Sequence, residues 1–205
     1  MTMQIKPSVY VPRDARQFIG PASKLATLFD RKAEHCRNAG DAVKVLIYGA
    51  PGIGKTALAN YLASLLTTHP TEIESVNGRS VSVELIRHWQ QCAGYGSLFG
   101  GYTVKIVNEL DTCPRAAQDL LLTYLDEMGP RTAFVGTSNL ELSLLAERFQ
   151  SRLQQFKLAA PDTTALAEFI ARWQLPPKVC AQIAVGSGGN VRAALLDAQS
   201  VLEAA

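Results

Sequence analysis

Apolar residues in this chain fall into short dense runs, separated by longer stretches in which they recur every three or four positions. The dense runs predict strands near residues 43–48, 72–77, 103–108, 132–138 and 154–158. The intervening stretches predict helices near 22–38, 55–67, 81–91, 114–127 and 140–149, the first ended by Gly40. Apolar strands alternating with helices call for a parallel sheet covered on both faces, so the expected class is α/β with five parallel strands.

Pro161 ends the alternation. Asp162 has the place of an N-cap for a helix through Trp173, Pro176-Pro177 opens a second short helix, and Gly186-Ser187-Gly188-Gly189 breaks it. Asn190 caps a third helix running towards the C-terminus. Residues 1–160 are therefore expected to form the α/β domain and residues 161–205 a small helical domain.

Candidate chemistry begins between the first predicted strand and the helix after it, at Gly49-Ala50-Pro51-Gly52-Ile53-Gly54-Lys55-Thr56, followed by Ala57. A G-x-x-x-x-G-K-T spacing between a strand and a helix is a phosphate cradle. Its glycines free the backbone so that successive N–H groups converge on phosphates at the helix N-terminus. Lys55 then reaches the β- and γ-phosphates and the Thr56 hydroxyl a Mg²⁺ ion. The plain alternative is a glycine-rich turn with no ligand.

Composition narrows the setting more than the function. A chain of 205 residues buries one full core with a small appendage. Twenty Lys and Arg against eighteen Asp and Glu give a net charge of +2, too small to indicate a nucleic-acid partner, so any basic surface must come from local clustering. Cys36, Cys92, Cys113 and Cys180 are scattered without a C-x-x-C pair, which speaks against disulfides and zinc and for a reducing cytoplasm. His35 and Cys36 are adjacent, and adjacent side chains diverge on a helix. No apolar stretch has the length to span a bilayer, and the N-terminus carries no signal-peptide pattern, so a cytoplasmic protein without a membrane partner is expected.

The run Val104-Lys105-Ile106-Val107-Asn108-Glu109-Leu110-Asp111 is an apolar strand ending in acidic residues, and open α/β sheets bind ligands at such strand ends. Glu109 is the candidate to polarise an attacking water. Asn108 occupies the position from which a carboxylate would hold the Mg²⁺ shell; its amide oxygen still accepts from metal-bound water but adds no charge, so weaker Mg²⁺ binding or slower turnover is expected. Asn139, after Gly136-Thr137-Ser138, orients water or touches the γ-phosphate, with a turn or N-cap role as the alternative. Taken singly, Arg148, Arg152 and Arg192 read as ordinary surface arginines. The glycine-rich, aromatic stretch 94–102 reads either as a substrate loop or as a linker.

Together these residues resemble the AAA+ ATPases along nearly the whole chain, most of all the clamp-loader subunits and the Holliday-junction branch-migration motor. Arg13 to Gly20, ending Phe18-Ile19-Gly20, resembles the box that contacts adenine, and the segment 72–80 resembles the clamp-loader second strand and its turn. Asn108-Glu109-Leu110-Asp111 is similar to the acidic box of the third strand, departing from it at Asn108. Thr137-Ser138-Asn139 resembles sensor 1, Phe149-Gln150-Ser151-Arg152 the Ser-Arg box, and Gly188-Gly189-Asn190-Val191-Arg192 the start of the sensor 2 helix.

The resemblance implies a P-loop fold of five parallel strands flanked by helices, followed by a helical lid. It implies ATP and Mg²⁺ as ligands, and homo- or hetero-oligomers whose sites lie between subunits, with Arg152 acting in trans and Arg192 in cis. It further implies work on DNA or on a DNA-bound protein, as in replication or repair. The turn Asn77-Gly78-Arg79-Ser80 carries an arginine and no aromatic residue, which weakens the alternative of a protein-unfolding chaperone. Asn108 motivates a third reading, an ATP-binding regulatory subunit with weak hydrolysis. The chain ends at Ala205, directly after the expected lid and without a clamp-loader collar or a winged-helix domain, so substrate contacts are expected from core loops, the N-terminal segment or a partner.

Overall fold

The computed structural model describes residues 5–140 and 147–204. In chain order the elements are α1 (Pro21–Ala39), β1 (Val43–Tyr48), α2 (Lys55–Leu66), β2 (Ile73–Asn77), α3 (Val83–Cys92), β3 (Thr103–Asn108) and α4 (Arg115–Glu127). They continue as β4 (Thr132–Ser138), α5 (Glu147–Gln150), β5 (Gln154–Lys157), α6 (Thr163–Ile170), α7 (Pro177–Gly186) and α8 (Val191–Ala204). The strands form one parallel sheet in the order β2-β3-β4-β1-β5. This is the α/β architecture expected from the sequence.

The middle of the sheet is the most apolar part, because it is covered twice. β4 is buried at every position. One face carries a cluster with Phe29, Leu58, Leu62, Val45 and Ile106, under α1 and α2; the other carries Trp89, Leu121, Leu125, Leu46 and Phe134, under α3 and α4. Full burial of one such side chain contributes about 1.5–3 kcal/mol, so these two layers fix which strand ends stand together.

Most departures from the expected elements are of one or two residues. Glu72 belongs to a 3₁₀ turn (Pro70–Glu72) rather than to β2. Val81 closes another turn, and the Ser82 hydroxyl, accepting from Leu85 N–H at 3.2 Å, starts α3 two residues later than expected. Leu158 lies past β5, although its N–H still donates to Tyr48 C=O at 2.8 Å. Of the helix expected over 140–149, residues 141–146 lie outside the described residues, and Glu147–Gln150 is helical.

The C-terminal helices build a separate apolar cluster of Leu166, Phe169, Ile170, Trp173, Ile183 and Ala194. Its sequence signals act as read: Asp162 Oδ1 accepts from Ala165 N–H at 2.7 Å and Asn190 Oδ1 from Ala193 N–H at 3.0 Å. The N-terminal segment crosses onto this cluster. Tyr10 packs edge-on against Phe169 and Trp173, both at 5.5 Å, and Trp173 Nε1 donates to Ile5 C=O at 2.7 Å. No helix among the described residues is long and apolar enough to cross a membrane.

Candidate nucleotide site

Strand register decides which polar residues meet. Asn77 pairs with Asn108, Val107 with Gly136, and Ile47 with Thr137, so the C-terminal ends of β2, β3, β4 and β1 form a single row. The loop after β1 and the start of α2 close over that row.

Gly49 takes φ 150, Gly52 φ 76 and Gly54 φ 106, and a Cβ on Gly52 would lie 2.0 Å from Asn190 Oδ1. A Cβ there would displace the Asn190 side chain that caps α8, and the positive φ strains any L side chain at this position. Arg192 N–H donates to Gly52 C=O at 3.0 Å, joining the loop tip to the head of α8. Beneath the loop, Lys55 is buried and its Nζ donates to the carbonyls of Gly49 at 2.8 Å and Ala50 at 2.7 Å. Burial pushes the Lys55 ammonium below its ordinary value; Asp111 and Glu109 pull it back up, while Arg192 adds to the depression.

At the head of α2, the Thr56 hydroxyl donates to Asn108 Oδ1 at 3.0 Å, and Asn108 Nδ2 donates to Ser75 Oγ at 3.1 Å. The amide is thereby oriented with its oxygen towards Thr56. Glu109 is one of the non-glycine residues in the left-handed region, at φ 56, where a side chain costs about 1–2 kcal/mol. Several contacts hold it there. Its N–H donates to Thr137 Oγ1 at 3.1 Å, its C=O accepts from Thr112 N–H at 2.8 Å, and Gly78 gives it room, since a Cβ there would come within 2.2 Å of Glu109 O. The Glu109 carboxylate accepts from Asn77 Nδ2 at 3.2 Å and from Asn139 Nδ2 at 3.3 Å. Asn139 N–H in turn donates to Asp111 Oδ1 at 3.2 Å.

A cavity of about 310 Å³ joins this polar end to an apolar one. Pro51, Gly52, Ile53, Gly54, Lys55, Thr56 and Ala57 line it together with Glu109, Asn139 and Arg192. Its apolar lining includes Ile19, Phe169 and Leu195. Gly20 lines a smaller cavity of about 170 Å³ beside it, with Ile19 and Arg172.

Of the sequence-predicted site residues, Ile19, Pro51 to Ala57, Glu109, Asn139 and Arg192 line the larger cavity, Gly49, Ala50 and Asn108 are bonded to Lys55 and Thr56 beside it, Gly20 lines the smaller cavity, and Arg152 lies at neither. Arg152 lies just before β5, whose Gln154 pairs with Val45 near the start of β1, whereas Gly49 follows the end of that strand. Gln154 is level with Val45, four strand residues or roughly 13 Å from Gly49, and Arg152, in the turn before Gln154, does not line the cavity. The Arg152 guanidinium instead grips Asp126 on α4, with Nε at 2.8 and 2.9 Å from the two carboxylate oxygens and Nη2 at 2.8 Å.

Sequence reasoning missed Asn77, bonded to Glu109, and Tyr10, Phe169 and Leu195, which line the cavity. Only Leu195 carried a usable signal, lying near Arg192 at helical spacing on α8.

The residues fit a magnesium-bound triphosphate. The N-terminus of α2 presents unpaired N–H groups beside a buried ammonium, and Thr56 Oγ1, Asn108 Oδ1 and the Glu109 carboxylate are hard oxygen donors of the kind Mg²⁺ takes.

Residues 44–133 match the family described as AAA domain, dynein-related subfamily. No curated protein sequence matches the chain. Among solved structures, RuvB of Thermotoga maritima, a Holliday junction branch migration motor, matches with a TM-score of 0.69 at 22% identity, covering 90% of this chain and 62% of that one. A single-substitution form of the same protein matches at a TM-score of 0.74 and 20% identity over 91% and 63% of the two chains. The chain thus spans a little less than two thirds of the length of those proteins.

Proposed function

We propose that this chain, which carries an AAA domain on an AAA+ ATPase-core fold, binds ATP and hydrolyses it in sites completed by a neighbouring subunit. The observation that carries this reading is the separation of its two arginines. Arg192 is tied to the phosphate loop through its own backbone and lines the cavity, while Arg152 is bonded to Asp126 on α4 and does not line it.

In this reading residues 1–160 are the nucleotide-binding domain and 161–205 a lid whose sensor helix, α8, touches the loop at Gly52. Ile19 and Gly20, with Phe169, receive the adenine. The backbone from Gly49 to Ala57 and Lys55 hold the phosphates, and Thr56 and Asn108 hold Mg²⁺, which supplies charge stabilisation to the phosphates when bound. Asn77 and Asn139 aim the Glu109 carboxylate, which takes a proton from the attacking water. Arg192 in cis and the neighbour's copy of Arg152 in trans meet the charge that develops on the γ-phosphate. An arginine supplied in trans accelerates such hydrolysis by about 10³–10⁵, so turnover depends on assembly.

The work done with this energy is read from the likeness to a DNA branch-migration motor: loading, remodelling or moving a DNA-associated substrate. Asn108 supports a second reading, an ATP-binding subunit with weak hydrolysis, because its neutral amide stands where a charge would hold Mg²⁺.

The test is Arg152→Ala, followed by ATP affinity and by turnover as a function of protein concentration. The reading expects affinity within about two-fold of the parent, and loss of the concentration-dependent turnover by about 10³-fold. Unchanged turnover in the variant would sink it.

A further inference from the structure

We propose that Asp126 is the positioning residue for the Arg152 guanidinium: it holds the arginine extended and in a fixed plane, with its remaining donors presented to a neighbouring subunit's phosphate. This rests on the reading of Arg152 as an arginine acting in trans.

The geometry is more specific than a surface ion pair requires. Asp126 closes a fork with Nε and Nη2, at 2.8–2.9 Å, and Nη1 donates to the Arg148 carbonyl at 3.0 Å. Arg148 is itself held, its Nη1 on Asp119 Oδ1 at 2.5 Å. Asp119 and Asp126 are two turns apart on one face of α4, and Arg148 and Arg152 are one turn apart across from them, so the two pairs brace the segment that carries the guanidinium.

The same geometry separates a positioner from a lock. A guanidinium has five N–H donors. Asp126 and the Arg148 carbonyl take donors from Nε, Nη1 and Nη2, which leaves one N–H on each terminal nitrogen for a phosphate oxygen. The Arg152 side chain is 32% exposed, so those donors need not leave Asp126 to be used. An arginine fixed in this way has already given up its rotamer freedom before the neighbour arrives, which is what a preorganised charge-stabilising group requires. The carboxylate also gains: the Arg152 hydrogen bonds hold Asp126 below the usual carboxylate range, so it stays charged at neutral pH.

The test compares Asp126→Ala, Asp126→Asn and Arg152→Ala with the parent chain. It measures ATP turnover above the concentration at which the parent assembles, ATP affinity by titration with a fluorescent ATP analogue, and mass by light scattering. Asp126→Ala should lower kcat roughly ten- to hundred-fold, the scale of a slightly misplaced reacting group, with KM, analogue affinity and assembled mass unchanged. Asp126→Asn keeps an acceptor for Nε and should recover part of the loss. Adding Asp126→Ala to Arg152→Ala should cost nothing more. If Arg152→Ala abolishes turnover while Asp126→Ala leaves kcat unchanged or raises it, the positioning role fails and the pair is either inert or a lock. If Arg152→Ala itself leaves turnover intact, the trans reading fails and the role of Asp126 with it.

Discussion

The two ends of the sheet treat their charged groups in opposite ways. At the C-terminal end, Lys55, Thr56, Asn108, Glu109 and Asn139 are bonded mostly to one another and to the loop that encloses them, in a cavity the chain builds for itself. Towards the other end, Arg148 and Arg152 are fixed by aspartates on α4, and neither lines the cavity beside the phosphate loop. An enclosed cluster holds a ligand, whereas a braced guanidinium on an outer surface is arranged to meet something brought to it. In the reading proposed above, the difference is that between two unlike halves of one site, the enclosed half supplied by one copy and the braced arginine by another.

The largest effect short of removing Arg152 should come from the enclosed half. Glu109→Gln keeps the size of the side chain and an acceptor for one of the two flanking amides but removes the base. Turnover should fall about 10²-fold or more, with ATP affinity retained. Turnover within a few-fold of the parent would show that Glu109 is not the water-polarising group and would blur the division between the two ends.

Asn108→Asp should act in the other direction and by less. A charge placed beside the Thr56 hydroxyl, now bonded to the amide oxygen at 3.0 Å, should lower the Mg²⁺ concentration for half-maximal ATP binding about ten-fold. A large rise in turnover on the same substitution would favour the weakly hydrolysing subunit, since it would show that the parent residue holds hydrolysis back. No change in Mg²⁺ dependence would remove Asn108 from the metal shell.

The enclosed half was largely legible in the sequence, and the reasons are local. The spacing from Gly49 to Thr56 encodes a loop whose chemistry depends on backbone freedom and on residues next to one another. Caps behave alike: Asp162 and Asn190 bond N–H groups three residues on, so short-range rules place them. What the sequence left dark arises from register and crossing segments. Asn77 reaches Glu109 only because β2 pairs with β3 in one register, and Tyr10 reaches Phe169 only because the N-terminal segment crosses onto the C-terminal helices. Arg152 is a candidate by resemblance alone. Its partner Asp126, twenty-six residues away on another element, carries no mark that separates it from any other surface aspartate.

The central claim, that one copy supplies the cradle and another the arginine, is tested most directly by mixing two inactive variants. Lys55→Ala removes the cradle's ammonium and keeps Arg152; Arg152→Ala does the reverse. Neither alone should turn over ATP at any protein concentration. In a one-to-one mixture that assembles at random, roughly a quarter of the head-to-tail contacts join an intact cradle to an intact arginine, and turnover should return to about that fraction of the parent value. A mixture that forms oligomers of the parent mass and stays inactive would contradict the claim.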